Sequence, residues 1–283
     1  MKNFLLPILV LLAACSSSRQ ATQAVHRAHY ETGTSERKFP FAYADPSDPY
    51  LQRMVADYDL NAVVSDAPTD LDRAAALLDW THRQWRHNGS NVPDRSDAIS
   101  IVEEARAGKK FRCVEYGVVS SAAMSALGLP ARVLGLRTAD VETRKWGAGH
   151  VLAEVYLPDL QKWAMVDGQF NVIPTLNGTP LHAVEYRNAL VGATPGLQLI
   201  DASGPVSEER QRNYRRFIEE YLYHFTVGFN QQQHPDAEPV AVDGKHHLML
   251  LPIGTKVPTL FQRNPTAEVV ATHSVTAFYP TPP

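Results

Sequence analysis

Three residues of this chain have the types and the spacing to carry out acyl chemistry: Cys113, His150 and Asp167. A cysteine nucleophile attacks as thiolate, and a free thiol has a pKa of ~8.5. From Cys113 onward the apolar and small residues recur at helical spacing, so the cysteine stands at the start of a predicted helix. The start of a helix carries unpaired N–H groups and a partial positive charge. Both favour a thiolate, and the N–H groups can stabilise an oxyanion. His150 opens a predicted strand, and Asp167 ends the next one. Two such strands joined as a hairpin run in opposite directions about 4.8 Å apart. That brings an imidazole and a carboxylate to the same end, within hydrogen-bonding reach. A histidine so held keeps one tautomer and one orientation, and it can move protons for a nucleophile.

The elements that must position these residues are legible in outline. Residues from about Leu71 to Arg86 have a helical pattern, with Thr69 as a cap. A second helix follows Ser96, with Ile99, Val102 and Ala105 on its apolar face and Gly108 at its end. The helix from Cys113 is dominated by Gly117, Ser120, Ser121, Ala122, Ala123, Ser125 and Ala126. So little side-chain bulk lets neighbours approach on several sides, which predicts a central helix. Gly128 and Pro130 stop it. Strands are expected over 131–136, 151–157 and 163–166, giving an α+β layout. Residues 39–67, with several prolines, read as irregular structure wrapping the core. Farther on, 210–225 reads as an amphipathic helix rich in aromatics, and 247–252 and 275–279 as short strands.

Three blocks together resemble the transglutaminase-like superfamily. They are Cys113-Val114-Glu115-Tyr116-Gly117 with Leu127-Gly128-Leu129-Pro130-Ala131-Arg132-Val133, then Gly149 to Leu157, then Trp163-Ala164-Met165-Val166-Asp167. The resemblance covers about residues 70–175. It implies a papain-like α+β core, with a central Cys-bearing helix packed on an antiparallel sheet. It also implies roles: Cys113 as nucleophile, His150 as base and acid, and Asp167 as orienting group. Gly168 follows Asp167 where many relatives have proline. The helper for the oxyanion is not evident, and Trp80, Gln84 and Trp85 are the candidates for oxyanion or substrate binding.

Other polar residues read as structural. Arg132 is expected to pair with a carboxylate, and Glu115 to be a surface or hydrogen-bonding group. His82 and His87 lack a convincing metal spacing, and His246-His247 reads as exposed. Neither a metal nor a cofactor is expected.

The N-terminus reads as an address. Lys2 precedes the apolar run from Phe4 to Leu12, which is too short for a membrane span of ~20 residues and suits a secretory signal. Leu12-Ala13-Ala14-Cys15 resembles the lipobox of bacterial lipoproteins, in which the cysteine is lipidated. Residues 1–14 are therefore expected to be a signal peptide, and 15–38 a lipidated cysteine and flexible tether. Ser16 after the cysteine favours the outer membrane, facing the periplasm. With Cys15 lipidated, Cys113 would be the one free thiol of the mature chain, in a compartment that drives thiols toward disulfides. Residues 39–199 are expected to form the catalytic domain, and 200–283 an extension packed on it.

The composition is that of an ordinary globular chain, with 44% hydrophobic and 20% charged residues. A formal net charge of −3 offers no basic surplus for nucleic acid. The expected activity is thiol-dependent acyl transfer through a thioester, with hydrolysis of a peptide or protein amide favoured. The alternative is an inactive peptide-binding or scaffold lipoprotein. The expected partners are a peptide or protein substrate and, through the lipid, a membrane.

Overall fold

A computed structural model describes residues 19–283. The expected signal peptide and the lipidation site at Cys15 lie outside the described residues. Among the described residues no helix is long and apolar enough to cross a membrane.

Four helices build one layer. Helix α1 (Pro49–Tyr58) lies within the stretch expected to be irregular. The correction has a local cause. Pro49 occupies the first helical turn, where the missing N–H costs no hydrogen bond, and the Asp48 carboxylate accepts from the Tyr50 N–H. Helix α2 (Asp70–Arg83) is capped by Thr69 as expected and ends three residues early. Helix α3 (Ala98–Arg106) is capped by Asp97, one residue past the expected Ser96. Helix α4 (Cys113–Ala126) begins at the cysteine.

After α4 the chain forms strand β1 (Ala131–Arg137), then β2 (Gly149–Leu157) and β3 (Lys162–Val166). Strand β4 (Ile173–Leu176), helix α5 (Ala183–Val191), strand β5 (Leu197–Asp201) and helix α6 (Glu208–Ile218) follow. The expected helix over 210–225 therefore stops at Ile218. Residues beyond it become strand β6 (His224–Gly228), later joined by β7 (His247–Leu250) and β8 (Val270–Thr272). The expected strand over 275–279 is instead a single helical turn, Val275–Phe278, capped by the Ser274 hydroxyl.

The main sheet has six strands in the order β8-β7-β6-β1-β2-β3. Half of it comes from beyond residue 200, so the boundary expected near 199 does not divide the fold. β1, β2 and β3 form an antiparallel meander. Helix α4 packs on β1 and β2 and is flanked by α1, α2 and α3. The central helix predicted from its small residues is thus observed. Its closest approach is at Gly117, where a Cβ would stand 2.9 Å from the Leu152 carbonyl oxygen. One apolar core lies between the four helices and the sheet. A second, containing Leu134, Leu136 and Leu152, lies on the other face against α5 and α6.

The N-terminal segment departs from expectation. Residues 19–27 are helical, and Ala21 and Val25 are buried. The Arg187 guanidinium donates to the carbonyls of Val25 and Ala28. Polar residues dominate this segment, but the buried Ala21 and Val25 side chains anchor it to the fold.

Arg132 is fully buried and pairs with Glu154, which lies directly opposite it in the β1–β2 ladder. Its Nη2 donates to Glu154 Oε2 at 2.7 Å, and its Nη1 to the Phe278 carbonyl at 2.8 Å. The guanidinium also lies over the rings of Trp163 and Tyr279, 4.3 and 4.6 Å from their centroids. Glu154 Oε1 accepts from the Ala183 N–H and the Tyr279 hydroxyl, each at 2.9 Å. A buried carboxylate and guanidinium are tolerable only when paired and hydrogen-bonded in this way. The pair fastens the C-terminal tail to the main sheet.

Candidate active site

Cys113 and His150 line one cleft of about 1320 Å³. Cys113 is the first residue of α4 and partly exposed. Its helix start is organised by Glu115, which is buried rather than at the surface. Glu115 Oε2 accepts from the Arg112 N–H at 3.0 Å, and Oε1 from Arg112 Nη2 at 2.6 Å. This ties down the turn that carries the cysteine and keeps the guanidinium beside the thiol.

His150 Nε2 donates to Asp167 Oδ2 at 2.8 Å. That leaves Nδ1 for the thiol side of the ring. The imidazole is 2% exposed, and burial by itself pushes its pKa down. The charge of Asp167, its hydrogen bond, and the neighbouring Cys113 outweigh burial and hold the pKa up at about 9.

Asp167 is fully buried and every lone-pair direction has a use. Oδ2 accepts from His150 and also from the Tyr214 hydroxyl at 2.9 Å. Oδ1 accepts from the N–H groups of Gln169 and Phe170, at 3.0 and 3.3 Å. The carboxylate is therefore fixed by its own loop on one oxygen and by the site on the other. Helix α2 grips the same loop: His82 Nδ1 donates to the Gly168 carbonyl at 2.9 Å, and Asp79 accepts from Asn171 Nδ2 at 2.9 Å. Glycine at 168 has a steric reason. A Cβ there would lie 2.8 Å from Ser120 Oγ and 3.2 Å from Tyr116 Cβ, so α4 leaves no room for the proline of many relatives.

Sequence reasoning missed the aromatic enclosure of the histidine. Phe217 stands edge-on to the His150 ring, with centroids 5.2 Å apart, and Tyr221 and Phe170 complete the surround at 6.0 and 6.1 Å. Tyr214, Phe217 and Tyr221 recur at helical spacing, so one face of α6 and the turn after it supplies all three. The pattern was visible as an amphipathic helix, but its target was not.

The structure does not bring Trp80, Gln84 and Trp85 to the cleft. Trp80 packs against Tyr58, and Gln84 Nε2 donates back to the Trp80 carbonyl. Trp85 is buried beside Tyr116 and Phe111, and its indole N–H has no acceptor among the described residues. None of the three borders the cavity that holds Cys113 and His150. Among the described residues no cluster of three or more His, Cys, Asp or Glu could hold a metal ion.

With this geometry in place, the comparison with known proteins is direct. Residues 59–168 match the family model of the transglutaminase-like superfamily. This segment is similar to a transglutaminase-like core. Its limits run from the end of α1 to the loop after Asp167, so all three residues Cys113, His150 and Asp167 fall within it. Among solved structures, one similar chain is described as a proposed cysteine protease from Cytophaga hutchinsonii, at 17% identity and a TM-score of 0.35. The match covers 58% of this chain and 49% of that one, so the present chain spans about half the length of that protein. A second is described as a TGase, at 22% identity and a TM-score of 0.30, covering 41% of this chain and 32% of that one. No curated protein matches the sequence.

Proposed function

We propose that the transglutaminase-like core is a cysteine-dependent acyl-transfer enzyme acting on an amide, with hydrolysis of a peptide or protein as its reaction. The observation that carries this reading is the shared cleft of Cys113 and His150, with His150 Nε2 taken by Asp167. Cys113 Sγ attacks the amide carbonyl carbon as its proton passes to His150 Nδ1. The first N–H groups of a helix have no intrahelical acceptor, so the Cys113 N–H is available to the oxyanion. His150 then protonates the leaving nitrogen, the C–N bond breaks, and a thioester remains. Water attacks that thioester and gives a proton to His150, the C–S bond breaks, and the carboxylic acid leaves with the Cys113 thiolate restored beside the protonated His150. The buried Asp167 keeps His150 in the tautomer this sequence of steps needs.

In the same reading the enzyme works at the bacterial envelope, held by a lipid on Cys15 at the outer membrane and facing the periplasm. The Leu12-Ala13-Ala14-Cys15 run supports this.

The test is the alkylation rate of Cys113 in the full chain as a function of pH, alongside His150→Ala. The expected result is rapid alkylation at mildly acidic pH in the wild type, with the variant slowed at least tenfold there and converging toward alkaline pH. Identical profiles would remove the enzyme reading and leave the alternative, an inactive peptide-binding lipoprotein.

A further inference from the structure

The cleft continues past the thiol to Arg137 and Thr226, which the acyl chemistry leaves unused, and the buried His224 stands near Arg137 outside the cleft lining. Strands β1 and β6 pair antiparallel, with Gly135 opposite Thr226 and Leu136 opposite Phe225. Arg137, the next residue, shares the sheet face of Gly135 and Thr226, bridges to Leu222 where the ladder ends, and its charge acts on His224. Arg137, Gly135 and Thr226 all line the cleft. On its other side Arg137 lies opposite Gly149, and its neighbour Leu136 lies opposite His150. The group is therefore one residue along the sheet from the proposed base, with the two side chains leaving the sheet on opposite faces and both lining the one cleft.

Each of the three carries a buried polar atom without a partner: Arg137 Nη1, both ring nitrogens of His224, and Thr226 Oγ1. Buried polar groups are nearly always hydrogen-bonded, and three neighbours lacking a partner indicate a polar occupant. The charge on Arg137 narrows the choice. No carboxylate of the described residues pairs with it, and the one influence on its titration is burial, which depresses its pKa. Glu142, the carboxylate that acts on His224, is already engaged by the N–H and hydroxyl of Thr259 and the N–H of Leu260. A water molecule would fill a hydrogen-bonding vacancy but leave the guanidinium uncompensated. A carboxylate answers both needs, since its two oxygens match the guanidinium fork and still accept from the Thr226 hydroxyl. Phe261 holds the guanidinium in place, with its ring centroid 5.3 Å from Arg137 Cζ.

We propose that Arg137, assisted by Thr226, binds a carboxylate of the substrate on the floor of the cleft. This rests on reading the cleft as the acyl-transfer site and adds its substrate class: peptides bearing a carboxylate close to the amide that is cut. The carboxylate comes either from a free C-terminus or from an acidic side chain.

Equilibrium binding to the full chain carrying Cys113→Ser tests this without requiring turnover. The probes are acetyl-Ala-Ala-Ala with a free carboxylate or a C-terminal amide, and acetyl-Ala-Glu-Ala-amide against acetyl-Ala-Gln-Ala-amide. In one pair the carboxylate member binds roughly tenfold or more tightly, as expected for hydrogen bonds to a charged group. The pair that responds identifies the source. Adding Arg137→Gln abolishes the preference, and Arg137→Lys retains part of it. Equal binding of both members in both pairs, binding by no carboxylate probe, or a preference that survives Arg137→Gln in a folded protein would overturn the assignment. Should Arg137→Gln fail to fold, the Arg137→Lys chain and the probe preference of the parent still decide it. These outcomes are independent of thiol reactivity, so loss of the subsite and loss of the enzyme reading are distinguishable.

Discussion

Tyr214 and Asp167 stand 47 residues apart in the chain and meet in a single hydrogen bond, the hydroxyl donating to Oδ2 at 2.9 Å. The same oxygen accepts from His150. The orientation of the imidazole therefore depends on a helix outside the segment that matches the family model. In Tyr214→Phe that oxygen keeps only one partner, while the ring still fills its place. We expect a stability loss of about 1 kcal/mol by urea unfolding. We also expect Cys113 alkylation near neutral pH to slow several-fold, because the carboxylate gains freedom to turn. An alkylation rate identical to wild type would show that the loop N–H groups alone hold Asp167.

His150 supplies a pH-dependent part of the stability. Its pKa is raised above the ordinary 6.5 to about 9 in the folded state. A base shifted upward stabilises the fold in full below about pH 6.5, and the contribution is lost as pH rises through about 9. The stability difference between wild type and His150→Gln should therefore shrink by a few kcal/mol at most between about pH 6 and pH 9.5. Unfolding curves of both chains across that range measure it. A difference that stays constant or grows with pH would contradict a charged, paired imidazole.

Arg132 and Glu154 are worth more as a pair than either is alone. Both are fully buried, so removing one strands a charge. Glu154→Gln or Arg132→Met should cost about 3–5 kcal/mol, whereas Arg132→Met with Glu154→Leu should cost clearly less than the sum. A double-mutant cycle by chemical unfolding gives the coupling. Additive losses would mean that the aromatic rings around the guanidinium carry the stabilisation instead.

Gly168 reports on the contact between α4 and the loop after Asp167. Gly168→Ala drives a methyl against Ser120 Oγ and Tyr116 Cβ, with an expected cost of about 1–3 kcal/mol. Ser120→Ala in the same chain should recover part of it, since the nearest atom is then gone. Thermal unfolding of the two variants checks this, and an absence of recovery would place the strain at Tyr116.

Short-range physics in the sequence determined the cysteine-led helix, its central position, and the two strands that end at Asp167. Small residues, Gly128 and Pro130 act within a few positions of themselves, and strand alternation with a turn at Pro158-Asp159 sets a hairpin locally. The pairing of His150 with Asp167 follows from that hairpin, and the burial of Arg132 against a carboxylate follows from the ladder beside it. Helix α1 was hidden because prolines read as breaks, although a proline in the first turn costs a helix nothing.

The tertiary structure alone decided which aromatics enclose His150, and that a tyrosine from α6 completes the carboxylate. It also decided that half of the main sheet arrives from beyond residue 200, and that Arg137 and Thr226 line one cleft. These are contacts between segments dozens of residues apart. Their register is set by which apolar faces are buried together, and no local pattern of residues encodes that choice. The same holds for the indole ring of Trp85, whose residue type suggested a donor to the cleft but whose packing against Tyr116 and Phe111 keeps it out of the cavity wall.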